Sequence, residues 1–147
     1  MLTFDIFEKD SDAYDIYELV KAHLESAPLK YEIDEDHMMN VILSFRTRER
    51  PMFLLRSEGK IVGYLAAIAT PHPFYPHILT AAQYGWYVHP DYRKEASWAL
   101  LDAYEQWAQV IGCKLCTLAN YNIPKLSEAY EARGYRHIEQ SFIKELV

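Results

Sequence analysis

The residues best placed to do chemistry lie between Trp86 and Trp107. Trp86-Tyr87-Val88 closes an apolar run, His89-Pro90-Asp91-Tyr92 makes a turn, and the basic pair Arg93-Lys94 leads into Glu95-Ala96-Ser97-Trp98 and the amphipathic stretch Ala99 to Trp107. This reads as a strand that hands its end to a helix N-terminus. Backbone N–H groups there lack intrahelical partners and the helix dipole is positive, so the junction suits an anionic ligand.

Other constellations have simpler readings. Cys113 and Cys116 have C-x-x-C spacing, but a structural zinc site needs four ligands and there is no second pair. They read as two ordinary thiols, and no metal site is expected. Arg46, Arg48 and Arg50 resemble a phosphate site, yet they fall at or beyond the end of a helix, the favourable place for cations. Pro71-His72-Pro73-Phe74-Tyr75-Pro76-His77 is a rigid aromatic loop that either lines a site or simply connects two strands.

The elements that must position these residues follow from periodicity. The chain has 147 residues, half of them hydrophobic, which is enough for one domain over 1–147 with a sizeable core. Leu2 to Glu8 alternates as a strand. Asp10-Ser11-Asp12 caps a helix carrying Ala13, Ile16, Tyr17, Val20 and Leu24, and Asp34-Glu35-Asp36 opens a second helix that buries Met38, Val41, Ile42 and Phe45. Met52 to Leu55 and Ile61 to Thr70 form a hairpin over Ser57-Glu58-Gly59-Lys60, the second strand being apolar on both faces and hence central. Ala81 to Val88 is a fourth strand, whose interior Gly85 signals a bulge or a close approach. Helix three runs from about Glu95 to Ile111 and ends at Gly112. Leu115 to Ala119 is strand five, Pro124 opens helix four, Gly134 closes it, and Tyr135 to Leu146 reads as a last strand.

No run of about 18 apolar residues exists, and Met1-Leu2-Thr3-Phe4-Asp5 lacks a signal-peptide pattern, so a cytoplasmic protein without membrane contact is expected. Fifteen basic against twenty-one acidic residues give a net charge of −6, which argues against nucleic-acid binding and mildly favours a cationic partner.

The order β-α-α-β-β-β-α-β-α-β is an α/β layout with a mixed sheet. Together with Trp86 to Arg93, Leu100-Leu101 and Ala129-Tyr130-Glu131-Ala132-Arg133-Gly134-Tyr135, it resembles the GNAT superfamily of N-acetyltransferases across essentially the whole chain. The resemblance implies parallel strands four and five that splay apart, with acetyl-coenzyme A as co-substrate between them. Trp86, Tyr87 and Val88 would pair with the pantetheine and acetyl group. The loop Arg93, Lys94, Glu95, Ala96, Ser97 and Trp98 would hold the pyrophosphate, Asn122 would contact the cofactor arm, and Tyr130 would protonate the departing thiolate. Trp98 also fits as a cover over the cofactor mouth.

Two departures from the family pattern stand out. The pyrophosphate loop of pattern Q/R-x-x-G-x-G/A has no glycine here: counting from Arg93 puts Ala96 and Trp98 at the small positions, and counting back from Leu100-Leu101 puts Glu95 and Ser97 there. The fourth strand also lacks the glutamate that often removes the amine proton, having Ala82-Gln83-Tyr84-Gly85 instead. Proton removal then falls to water, Tyr84, His89, His72 or His77, with His72, Phe74 and Tyr84 as candidate acceptor-side residues. The implied reaction is direct acetyl transfer to a primary amine on a small molecule or protein; homodimers are common among members, and the sequence does not fix the oligomeric state. The alternative is a member with reduced catalysis that acts through protein contacts, as some small bacteriophage-encoded members do.

Overall fold

Two long antiparallel strands lie at the centre of the molecule. A computed structural model describes residues 1–147, in the order β1 (Leu2–Ile6), α1 (Ala13–Glu25), α2 (Glu35–Leu43), β2 (Met52–Ser57), β3 (Lys60–Pro71), β4 (Leu79–Val88), α3 (Glu95–Val110), β5 (Leu115–Thr117) and α4 (Pro124–Ala132). The chain divides into two compact units, Met1–Thr117 and Leu118–Val147.

The first unit holds a five-stranded mixed sheet in the order β1-β2-β3-β4-β5, antiparallel except for the parallel pair β4 and β5. β3 is buried over most of its length, as expected for a central strand apolar on both faces. Side-chain alternation along β2 divides the core. Met52 and Leu54 pack with Ile16 of α1 and Ile42 of α2, whereas Phe53 meets Trp107 of α3 at 6.2 Å. α3 buries Ala96, Leu100, Leu101, Tyr104 and Ala108, and the Tyr104 hydroxyl donates to the Thr117 carbonyl at 2.8 Å.

Three expectations need correction. Strand five, expected over Leu115 to Ala119, ends at Thr117; at the opposite edge of the sheet, Leu2, Phe4 and Ile6 of β1 are 41–47% exposed, while Phe7, just past its end, fills the core at 1%. Asp12 stands at the α1 N-cap position without capping it, because its carboxylate binds the Arg56 guanidinium at 2.8 Å beside Asp5 at 3.1 Å. Asp34, by contrast, accepts from the His37 N–H at 3.0 Å and caps α2.

The third correction concerns the end of the chain. In the second unit, α4 ends at Gly134, whose φ of 95° provides the left-handed cap, and the Tyr135 N–H returns to the Tyr130 carbonyl at 3.1 Å. Residues 135–147 form no strand. Their apolar residues are exposed, Phe142 at 89%, and the adjacent Phe142-Ile143 breaks the alternation. Alternation alone does not make a strand; a ladder partner must be present.

Candidate functional site

The site is built on the β4 edge that faces β5. Pairing between these strands covers only Thr80 to Ala82 against Leu115 to Thr117, although β4 continues to Val88. The ladder stops after Ala82, where β5 itself ends, while β4 runs on; β4 and β5 are the parallel pair that the family resemblance implies. On the other edge, the His89 N–H donates to the Val62 carbonyl at 2.8 Å and Tyr64 lies opposite Tyr87. Hydrogen-bonded pairs alternate along an antiparallel ladder. This directs the backbone groups of Tyr87 to β3 and those of Trp86 and Val88 to the β5 side, which narrows the expected trio to two.

β4 then leads through a turn at Pro90–Tyr92 into the N-terminus of α3. No side chain caps this helix, and its N-cap residue, Lys94, has φ 78° and ψ −127°. An L side chain is strained there and glycine is not. The glycine-like position of the loop is thus Lys94, which neither sequence count selected. Ala96 is buried in the first turn, while Lys94 and Glu95 are exposed and Ser97 and Trp98 half-buried. Arg93 is exposed, and it also folds back: its Nε donates to the Val88 carbonyl at 2.7 Å and its guanidinium lies 5.3 Å from the Tyr87 ring centre. Trp98 packs edge-on against Trp86 at 5.9 Å, joining helix start to strand.

The sheet face toward α1 carries a group that sequence reasoning missed. The β3–β4 register shifts so that Ala66 faces Gly85 and Ala67 faces Gln83, leaving Tyr84 as the extra residue of a bulge. Tyr84 is exposed and its ring contacts Phe45 at 5.1 Å. Gly85 explains itself by close approach: a Cβ there would lie 3.2 Å from the Tyr64 ring and from its hydroxyl. That hydroxyl is 2.6 Å from His23 Nδ1, and the His23 ring stacks on Tyr87 at 5.1 Å. Burial, and then the charge of Arg93, hold His23 below the usual histidine range. The available signal was helical spacing, since His23 falls seven residues after Ile16 on the inward face of α1.

The proline loop is a connector with an internal tie. β3 runs through Pro71, one residue further than expected, and the His72 N–H then pairs with the Ile78 carbonyl at 2.8 Å. His72 Nδ1 accepts from the Phe74 and Tyr75 N–H groups at 3.1 and 3.3 Å and so closes the loop. Phe74 is 84% exposed. His89 Nδ1 similarly accepts from the Asp91 N–H at 3.2 Å.

In the second unit, the Tyr130 hydroxyl donates to the Ala119 carbonyl at 3.2 Å, and burial pushes its pKa up to about 12. It is therefore a protonated phenol throughout the neutral range. Asn122 adopts φ 59° in the preceding turn. Its neighbour Asn120 makes the hydrogen bonds, accepting from the Ile123 N–H at 2.7 Å and donating to Ser127 Oγ at 3.1 Å.

The remaining constellations are structural. Arg46 donates to the Leu43 carbonyl at 3.1 Å and pairs with Asp10, and Arg50 lies on the Phe45 ring at 4.5 Å. Cys113 and Cys116 are half-buried and form no disulfide, burial raising the Cys113 thiol, and no cluster of three or more His, Cys, Asp or Glu residues is placed to hold a metal. No helix is long and apolar enough to cross a membrane.

The fold is shared with solved structures of low identity. A ribosomal-protein-alanine N-acetyltransferase from Brucella melitensis biovar Abortus 2308 is 17% identical with a TM-score of 0.76, covering 100% of both chains. An acetyltransferase from Trypanosoma brucei is 21% identical with a TM-score of 0.78, over 99% of this chain and 100% of its own. AAC(6')-Iy, solved with the bisubstrate analog CoA-S-monomethyl-acetylneamine, is 14% identical with a TM-score of 0.76, over 99% of this chain and 97% of its own. No curated protein sequence matches. The model of the acetyltransferase (GNAT) family matches residues 13–135. This match, over most of the chain, places it in the GNAT acetyltransferase family.

Proposed function

We propose that this protein is an N-acetyltransferase that moves the acetyl group of acetyl-coenzyme A directly to a primary amine. The observation that carries the reading is the continuity between the stretch of β4 that runs on beyond its pairing with β5 and the uncapped N-terminus of α3. A strand edge offers backbone pairing to an extended amide arm, and the helix start offers N–H groups and a positive dipole to its pyrophosphate. Trp86 and Val88 would pair with the pantetheine and acetyl group. Arg93, Lys94, Glu95, Ala96 and Ser97 would hold the pyrophosphate, with Trp98 covering the mouth. Because Arg93 takes up the Val88 carbonyl, the Val88 N–H is the group this residue would offer.

Acetyl transfer needs a neutral amine, a polarised carbonyl and a proton for the departing thiolate. Coenzyme A supplies the activated thioester. Tyr130, which burial keeps protonated, would supply the last proton, and Asn122 would contact the cofactor arm. Phe74, Tyr84 and the His72 loop would border the acceptor.

Isothermal titration calorimetry with acetyl-coenzyme A tests the reading. Saturable binding below millimolar concentration is expected, and a flat titration at millimolar cofactor would refute it. Such a flat titration is the outcome expected of a family member that acts through protein contacts alone.

A further inference from the structure

The fourth strand carries no carboxylate to take the amine proton, Ala82-Gln83-Tyr84-Gly85 standing in that region. What the fold places against the strand instead is an imidazole. His23 reaches from α1 to stack on Tyr87 of β4 at 5.1 Å, and its Nδ1 lies 2.6 Å from the Tyr64 hydroxyl. That hydroxyl rests over Gly85, where any side chain would crowd it. Tyr64 is buried at 4% exposure, while His23 is only half-buried.

We propose that His23 is the general base of acetyl transfer and that Tyr64 positions it, an inference that rests on the acetyltransferase reading above. If the Nδ1–H donates to the Tyr64 oxygen, the lone pair of a neutral imidazole lies on Nε2. As the amine nitrogen bonds to the thioester carbon, the carbonyl electron pair moves to oxygen and the nitrogen's proton passes to Nε2. Collapse of the intermediate re-forms the carbonyl and breaks the carbon–sulfur bond. The thiolate takes a proton from water or from Tyr130, which solvent then reprotonates, and the imidazolium returns its own to solvent, so protons and electron pairs balance.

The surroundings of His23 keep it neutral between turnovers. Tyr64 faces it from β3, Tyr87 from β4 and Arg93 from the segment after β4, while α2 turns Met38, Val41 and Ile42 to the adjoining core. Burial and the Arg93 charge both disfavour the imidazolium, so the free base persists to lower pH than in an exposed histidine.

The test compares wild type, His23→Gln and Tyr64→Phe, each checked for folding by circular dichroism. Acetyl-coenzyme A affinity is measured by calorimetry, and kcat against pH with an alanine-terminated peptide, glucosamine 6-phosphate and neamine as amine probes. His23→Gln should lower kcat about 10²-fold and abolish the acidic limb of the profile while leaving cofactor affinity unchanged. Tyr64→Phe should lower kcat with an unchanged KM for acetyl-coenzyme A. Retention of the wild-type profile by His23→Gln would overturn the proposal. So would a histidine nitrogen NMR spectrum of the wild-type acetyl-coenzyme A complex showing His23 as the Nε2–H tautomer or titrating at or above 6.5, whichever amines react. Failure of the wild type to bind acetyl-coenzyme A is a separate result, one that removes the acetyltransferase reading itself.

Discussion

Replacing Lys94 separates the two things this residue contributes, a charge and a strained backbone. Its φ of 78° with ψ −127° is a conformation that costs an L-residue about 1–3 kcal/mol. Lys94→Gly relieves that strain and gives back about 0.5–1 kcal/mol through the larger conformational freedom of an unfolded glycine. Lys94→Ala keeps the strain and removes only the charge. Lys94→Gly should therefore be more stable than Lys94→Ala by about 1 kcal/mol, taking the middle of each range, a rise in Tm of about 2–4 °C for a chain of this size. Urea denaturation of the two variants at pH 7 measures the difference directly, with equal m-values confirming that the unfolded states are comparable. Calorimetry with coenzyme A on the same pair reads the charge, since both should bind more weakly than wild type. A Lys94→Gly variant no more stable than Lys94→Ala would refute the assignment of Lys94 as the glycine-like position of the loop.

Further outcomes follow from the surroundings of single residues. Tyr130→Phe should lower turnover while leaving acetyl-coenzyme A affinity nearly unchanged, and should cost about 1 kcal/mol of stability for the lost bond to the Ala119 carbonyl; unchanged turnover would contradict the acid role. Gly85→Ala should destabilise by about 1–3 kcal/mol by overpacking, since the new methyl meets Tyr64 at 3.2 Å. A neutral effect in urea titrations would show that the Tyr64 contact is not tight. Tyr104 and Tyr130 both have phenols raised above the ordinary value near 10, burial being the first cause for each. The unfolded chain then releases these protons before the folded one does, so their stabilisation is intact below pH 10 and is lost as pH rises toward 12 and beyond. Urea midpoints should fall over pH 10–11.5, less steeply in Tyr104→Phe.

The sequence revealed most where a pattern has one physical cause. Pro124 and Gly134 bracket α4 because one lacks only an N–H that the first turn of a helix leaves unpaired and the other adopts a left-handed φ of 95°. The apolar run Ile61 to Ile68 is central because both of its faces are covered. Legibility ended where a residue's role depends on a partner distant in sequence. Asp12 reads as a cap until Arg56 claims its carboxylate, and residues 135–146 read as a strand for which no ladder forms. A histidine on an inward helical face, such as His23, gives no sign of its partner, Tyr64, 41 residues away. The family's loop pattern names glycine as a residue type, whereas here the backbone adopts the glycine conformation at a lysine, Lys94.

The most direct test of the central claim is an amide NMR titration of the protein with acetyl-coenzyme A, because it reports where the cofactor binds. The account predicts saturable shifts concentrated at Trp86, Val88 and Glu95 to Trp98, with Tyr87, held in its ladder with Tyr64, moving less. Saturable shifts elsewhere, or none at millimolar acetyl-coenzyme A, would contradict it.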